Sequence, residues 1–149
     1  MKKYLIVAIL GLFFNFGNAQ AWEGTGDQKL QIGLSPWGYG TGITATYDYG
    51  ITDLISVGAG GNFYFDGNHH HKGKDDYDKF FIFGRLNFHL RNLLDFPSAW
   101  DLYPGVDVGV IGNTFGLGVH LGARYFFTDK FGVFLEAGNN GSLGVSINF

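Results

Sequence analysis

Apolar and polar residues alternate along most of the chain beyond its N-terminal segment. In the last stretch, GVSINF, the apolar residues Val145, Ile147 and Phe149 alternate with small or polar ones. A period of two is typical of a β-strand with one apolar face and one polar face. The 25 glycines disfavour long helices, and the 16 phenylalanines favour strands. The pattern therefore predicts an all-β protein.

The alternation divides into eight segments, each with one apolar row and one row of small or polar residues. The predicted strands span about residues 28–35, 40–49, 54–65, 80–91, 101–110, 115–127, 131–138 and 142–149. The longest polar insertion, residues 66–79, has no apolar periodicity and is predicted to be a loop. The eight strands occupy the chain after its N-terminal segment, which predicts one domain without a linker.

The N-terminus has the composition of a secretory signal peptide. Two lysines precede an apolar run, which ends before the small residues of GNAQ. The run is too short for an ordinary membrane-spanning helix, so an uncleaved anchor is the weaker interpretation. We predict a signal peptide at residues 1–19 and a mature domain at residues 20–149. Gln20 is the expected first residue of that domain, and Ala21 is the alternative.

The charge of the predicted mature chain is mildly acidic. Removal of Lys2 and Lys3 leaves 8 Lys and Arg against 13 Asp and Glu, a formal net charge of −5. No basic patch recurs along the chain, so we expect no nucleic-acid partner. The chain has no cysteine. An exported domain of this kind is stabilised by burial, by closure of its hydrogen-bond ladder or by lipid, and not by disulfides.

Eight alternating strands fit two architectures, which differ in the face that each row meets. A lipocalin-like barrel buries its apolar rows around a ligand, whereas a membrane barrel turns them to lipid and its polar rows to the lumen. The polar rows are rich in glycine and poor in the Lys and Glu of a water-facing surface. They suit the narrow interior of an eight-stranded barrel, where we expect an ion-pair and hydrogen-bond network of Lys29, Asp48, Arg85, His89, Arg91, Asp107, His120, Arg124 and Glu136.

The apolar rows favour lipid contact. None of them contains a charged residue, and aromatic residues such as Tyr47, Phe65, Phe80 and Phe131 collect at their ends. Interfacial aromatic girdles occupy such positions in membrane barrels. We therefore predict an eight-stranded antiparallel up-and-down transmembrane β-barrel. A periplasmic lipocalin-like barrel that binds a lipophile is the alternative.

Three features resemble a known family. The signal peptide, the segment GARYFFTDKFGVFLEAG at residues 122–138 and the terminal GVSINF are similar to small outer-membrane β-barrel proteins of Gram-negative bacteria. The GNAQ ending of the signal resembles the Bacteroidota branch. The resemblance implies an outer-membrane location and a C-terminal assembly signal, formed by Val145, Ile147 and Phe149, that the barrel-assembly machinery reads. It also implies outer-membrane lipids and lipopolysaccharide as partners and a monomeric barrel.

Topology follows from the even number of strands. If both termini are periplasmic, the loop at residues 66–79 faces outside. The connection at residues 92–100, NLLDFPSAW, then lies on the periplasmic side as a short interfacial segment. We expect it to place Leu93, Leu94, Phe96 and Trp100 against lipid.

The predicted outer loop contains imidazole and carboxylate groups within a few residues of one another. His69, His70, His71, Asp75 and Asp76 are candidate ligands for a divalent transition metal. Adjacent histidines in an extended loop point apart, however, so a solvated loop without a fixed metal site is the interpretation we prefer.

No enzymatic site can be assembled from the spacing of residues. His89 and His120 on polar rows are candidate acid–base groups, but no Ser–His–Asp set is evident. We expect no enzyme activity and no cofactor. An eight-stranded lumen is just wide enough for side chains, which disfavours free diffusion of solutes. A structural or surface-presentation role is the main prediction, and a narrow channel for ions or small molecules is the alternative.

Overall fold

Eight antiparallel strands close into a barrel in the computed structural model, which describes residues 19–65 and 79–149. The strands are β1 (Gln28–Trp37), β2 (Gly42–Gly50), β3 (Ile55–Tyr64), β4 (Phe80–Phe88), β5 (Trp100–Ile111), β6 (Thr114–Phe126), β7 (Phe131–Gly138) and β8 (Gly141–Asn148). A short helix, α1 (Arg91–Leu94), lies between β4 and β5. The predicted all-β class and eight antiparallel strands are confirmed.

Each strand pairs with its neighbours in sequence, and β8 pairs with β1 to complete the ring. In that closing pair Ile32 lies opposite Val145 and Leu30 lies opposite Ile147. Closure leaves no sheet edge whose backbone groups lack a partner strand. The predicted strand ends agree to within two residues, except at β4. That strand ends at Phe88 because the chain turns through Leu90 into α1.

The two faces of the wall differ sharply in polarity. The side chains of Lys29, Gln31 and Arg124 point inward and are fully buried. The outward face carries Ile, Leu, Val and aromatic residues, and Ile82 and Leu117 are 64% and 66% exposed. A polar interior and an apolar exterior are the reverse of a lipocalin-like arrangement.

The barrel has two ends, which we name by what they contain. The termini end contains residues 19–27, the connections at 51–54, 89–99 and 127–130, and Phe149. The loop end contains the connections at 38–41, 112–113 and 139–140, together with Phe65 after β3 and Lys79 before β4.

Helix α1 lies at the termini end, in the segment that the sequence predicts to be interfacial. Leu93, Leu94 and Trp100 have exposed side chains there, whereas Phe96 is partly buried. Across residues 19–65 and 79–149, the structure contains no helix that is long and apolar enough to cross a membrane.

Candidate functional site: a filled lumen closed at both ends

Buried ion pairs occupy the centre of the lumen. Nη2 of Arg85 lies 2.7 Å from Oε1 of Glu136, and its Nε lies 3.1 Å from Oδ1 of Asp48. The guanidinium of Arg124 pairs with Asp48 and lies 3.4 Å from Oδ2 of Asp101. All five side chains are at most 9% exposed. Each buried charge therefore has an opposite charge beside it, as a low-dielectric interior requires.

Strand register explains how these charges meet. Asp48 of β2, Gly58 of β3 and Arg85 of β4 lie opposite one another in turn. A Cβ at Gly58 would lie 2.2 Å from Oδ1 of Asp48 and 3.2 Å from Cγ of Arg85. The row continues from Arg85 to Asp107 of β5 and then to Gly118 of β6. Glycines in the row thus provide the space that long charged side chains occupy.

A buried tyrosine packs against the ion pairs. The Tyr103 hydroxyl donates a 2.7 Å hydrogen bond to Oε1 of Glu136 and accepts one of 3.1 Å from the Gln31 amide. The guanidinium carbon of Arg124 lies 4.0 Å from the centre of the Tyr103 ring. A cation over an aromatic face is stabilised electrostatically, more so when both groups are desolvated. The network therefore combines ion pairs, hydrogen bonds and ring packing.

A chain of hydrogen bonds joins the two lumen histidines. It runs in order through Asp107, His120, Asn87, Ser56, His89 and Asp101. Nδ1 of each histidine lies 2.8 Å from a carboxylate oxygen. Between the rings, Asn87 contacts Nε2 of His120 at 2.9 Å and donates to the Ser56 hydroxyl at 3.1 Å. The chain links strands β3, β4, β5 and β6 across the lumen.

Three residues of this series of hydrogen bonds, Ser56, His89 and Asp101, are arranged like a catalytic triad. The Ser56 hydroxyl lies 2.9 Å from Nε2 of His89, whose Nδ1 faces Asp101. Ser56 is fully buried, however, and the Trp22 ring stacks on His89 with ring centroids 3.5 Å apart. Burial lowers the pKa of His89, which lies just beyond β4, because desolvation outweighs its hydrogen bond to Asp101. The absence of enzyme activity stays a prediction.

Residues 19–27 lie across the termini end, and Trp22 is their main buried side chain. Its indole N–H donates a 2.8 Å hydrogen bond to the carbonyl of Asp53. Its own carbonyl accepts a 2.5 Å hydrogen bond from Nη1 of Arg91. Arg91 therefore lies at the barrel end as the first residue of α1, and not on a wall strand as the sequence pattern predicts.

Lys29 lies under the same end segment. Its ammonium contacts Oδ1 of Asp27 at 2.5 Å and Oδ1 of Asn148 at 3.2 Å. It also lies over the rings of Trp22 and Phe126, at 5.9 and 5.2 Å from their centroids. These contacts replace the hydration that the fully buried ammonium has lost.

Aromatic side chains fill the lumen at the loop end. Tyr64, Phe81 and Phe83 are buried there, with Tyr39 packed against them. The backbone N–H of Tyr39 donates a 3.3 Å hydrogen bond to the side chain of Asn140. Between this cluster and the Arg85–Glu136 pair lies a cavity of about 20 Å³, which is enough for roughly one water molecule.

The predicted assembly residues lie on the closing strand or just after it. Val145 and Phe149 are exposed on the outward side, and Ile147 is partly buried. The backbone N–H of Phe149 donates to the carbonyl of Gln28 at 3.1 Å, so the C-terminus lies beside the start of β1.

The candidate metal ligands lie outside the described residues. They are His69, His70, His71, Asp75 and Asp76. Within the two ranges that the structure describes, no three His, Cys, Asp or Glu side chains are grouped so as to hold a metal ion.

The predicted network did not include Ser56, Asn87 and Tyr103, which the structure places in the lumen. Ser56 and Asn87 stand on polar rows of the alternating pattern, and Tyr103 lies four residues before Asp107 on the same inward row. Their positions could be read from the alternation, but their contacts depend on register between distant strands. Trp22 gave no such signal, because no alternating pattern surrounds it.

A family of unknown function, DUF6646, has a profile that matches residues 11–142 of the chain. Two solved structures are similar in fold. A barrel from the work "De novo design of transmembrane beta-barrels" has a TM-score of 0.62 and 11% identity, over 86% of this chain and 99% of its own. The N-terminal β-barrel domain of Pseudomonas aeruginosa OprF has a TM-score of 0.60 and 14% identity, over 85% of this chain and 100% of its own. No curated protein matches the sequence.

Proposed function

We propose that this chain, which belongs to the DUF6646 family, is an integral outer-membrane β-barrel with a structural, surface-presenting role. Its lumen is filled by side chains, and its loops are the parts presented to the outside. Both termini face the periplasm, and the connection between β3 and β4, with its three adjacent histidines, faces the exterior. This role requires neither a cofactor nor an enzymatic site.

The observation that carries the proposal is the polarity of the two faces. The outward rows of the described strands expose large apolar side chains such as Ile82, Phe115 and Leu117. A water-soluble protein seldom exposes an apolar band that surrounds it, because such a surface aggregates. Lipid removes that problem, and closure of the barrel pairs its strands all around the ring.

The closed lumen supports a structural role over the alternatives. Trp22 covers the termini end, aromatic side chains fill the loop end, and the cavity between that cluster and the ion pairs holds roughly one water. A conducting path would need a continuous water-filled passage. A lipophile-binding barrel would need an apolar cavity of several hundred Å³.

The partners we propose follow from this placement. Outer-membrane lipids, including lipopolysaccharide, cover the outward rows. The barrel-assembly machinery recognises the C-terminal strand through Val145, Ile147 and Phe149. A ladder that closes within one chain is consistent with a monomer.

Membrane fractionation with heat-modifiable gel mobility tests the proposal. We expect the protein in the outer-membrane fraction, migrating as a compact species that unfolds only on boiling. Recovery as a soluble periplasmic protein would contradict the membrane assignment.

Planar bilayer recording tests the closed lumen separately. We expect no steady conductance above that of protein-free bilayers. Reproducible ion-selective steps from the inserted barrel would favour the narrow channel.

A further inference from the structure

We propose that a groove on the outward face beside Pro104 binds an amphiphile that has an alkyl tail and donates one hydrogen bond, such as a hydroxylated acyl chain. This inference rests on the proposed membrane location, because the groove faces lipid only if the barrel spans a bilayer.

The groove has a volume of about 400 Å³ and crosses the outward side of β3 to β6. Its apolar walls are formed by Ile55, Leu86, Phe88, Pro104, Val106 and Val119. This volume lies in the range of sites that hold small molecules. It has room for a segment of an alkyl chain.

The backbone pairing of β4 with β5 is unusual at one position in this groove. Asn87 pairs with Gly105, and the N–H of Leu90 donates to the carbonyl of Leu102 at 2.8 Å. The same register places Phe88 opposite Pro104. In an antiparallel ladder, hydrogen-bonded pairs alternate with non-bonded ones, so Phe88 and Pro104 form the next bonded position after Leu90 and Leu102.

Proline has no N–H to donate at that position. The carbonyl of Phe88 therefore receives no ladder hydrogen bond from β5. In a lipid environment no water replaces the missing donor, so an unsatisfied carbonyl is strongly destabilising there. The wall thus has a hydrogen-bond acceptor at the edge of an apolar groove.

The described lumen side chains beside this position already contact one another. Asn87 and His120, which also line the groove, already contact each other at 2.9 Å. A side chain at Gly105 would collide with both groups, since its Cβ would lie 2.4 Å from Nε2 of His120 and 2.6 Å from Oδ1 of Asn87. The donor that we propose for Phe88 comes from the lipid side.

The position of Pro104 in its strand limits the chemistry of that donor. Trp100 begins β5 with an exposed ring, at the level where interfacial aromatics lie. Four residues of strand span roughly 14 Å, so a strand tilted near 45° places Pro104 about 10 Å inside that level. An unsubstituted acyl chain has no hydrogen-bond donor at this depth. A chain with a hydroxyl partway along its tail supplies one.

A carbonyl-labelling experiment tests the inference. The purified protein, with carbon-13 at its phenylalanine carbonyls, is reconstituted in phosphatidylcholine nanodiscs, and Phe88→Leu identifies the Phe88 signal. Methyl 10-hydroxyoctadecanoate is then compared with methyl octadecanoate, which lacks only the hydroxyl. We expect a saturable downfield shift of the Phe88 signal with the hydroxylated ester alone.

Two variants serve as controls. Pro104→Ala restores an N–H opposite Phe88, so its carbonyl signal should already be shifted and should not respond to the hydroxylated ester. Val108→Ala, on the same outward row of β5 but beyond the groove, should respond like the wild type. Equal responses to the two esters, or an unchanged response in Pro104→Ala, would overturn the inference.

Heat-modifiable mobility of the same nanodisc samples separates this inference from the proposed function. A folded, inserted barrel whose Phe88 carbonyl ignores the hydroxyl overturns the lipid site alone. A protein that does not insert as a heat-modifiable barrel overturns both proposals.

Discussion

A glycine on β6 leaves room in the lumen for a tyrosine ring on β5. Tyr103 lies directly opposite Gly122 in the ladder, and both residues face inward. A Cβ at Gly122 would lie 2.2 Å from Cζ of the tyrosine ring. The ring is held by Glu136 and Arg124, so it cannot move without breaking their contacts. The Tyr103 ring on the neighbouring strand therefore leaves no room for a side chain at position 122.

We expect Gly122→Ala to lower the free energy of unfolding by about 1–3 kcal/mol, as overpacking of a filled interior does. The matched control is Gly61→Ala on an outward row, where the nearest atom to an added Cβ is 3.7 Å away. That control should change stability by less than about 0.5 kcal/mol. Urea titration in lipid vesicles measures both variants. Equal effects would mean that the inward row is not tightly packed.

A second prediction concerns the buried ion pairs of the lumen. Glu136→Gln keeps the shape of the side chain but leaves Arg85 with one carboxylate partner in place of two. Loss of a buried partner typically costs about 3–5 kcal/mol, because the remaining charge stays desolvated. Glu23→Gln, at an exposed residue, is the control for urea titration. A loss no larger than that of the control would contradict the buried network.

The sequence predicted which residues face the lumen better than it predicted their partners. Asp48, Arg85 and Glu136 stand on polar rows, and a period of two suffices to place them inside. The contact of Ser56 with His89 spans 33 residues and depends on inter-strand register, which local alternation does not encode. Phe81 and Phe83 were missed as lumen residues because the run FFIF is apolar on both faces.

At the scale of elements, the strands follow from local pattern but the end segment does not. Alternation placed nearly all strand ends within two residues. Residues 19–27 form no strand, and their placement depends on Trp22 finding His89 and Asp53. Such a segment is specified by contacts with distant parts of the chain, so its position appears only once the barrel is formed.

We predict that Trp22→Ala uncovers the termini end while the barrel stays closed. The measurement is modification of His89 by diethyl pyrocarbonate, read by mass spectrometry, which should rise severalfold because the stacked indole is gone. Trp100→Ala removes an exposed tryptophan and should leave His89 protected. Unchanged protection in Trp22→Ala would show that the end segment does not depend on this ring.

At the scale of the whole molecule, closure depends on β8 meeting β1. The pairing of the two strands includes Gly33 with Gly144, whose backbones approach too closely for a Cβ on either residue. A Cβ at Gly33 would lie 2.1 Å from the carbonyl oxygen of Leu143. A side chain at either glycine would therefore disturb the closing pair.

Deletion of Phe149 should reduce the amount of folded protein in the outer membrane while export across the inner membrane continues. The physical reason is that the last aromatic is exposed beside the closing strand, where assembly machinery can contact it. Quantified fractionation with heat-modifiable mobility measures the effect. Glu23→Gln, at an exposed residue, is the control, and normal outer-membrane levels without Phe149 would contradict the assembly signal.

The adjacency of Phe149 and Gln28 means that strand order around the ring does not depend on where the chain begins. A circular permutant that joins these residues and opens the turn between β5 and β6 could keep seven of the existing hairpin or closing pairings covalently connected. Its new C-terminus would be Ile111, on the opposite rim. Such a permutant would keep the strand sequences that direct folding but would no longer end in Phe149. Its level in the outer membrane would show whether folding and recognition of the C-terminus can be separated.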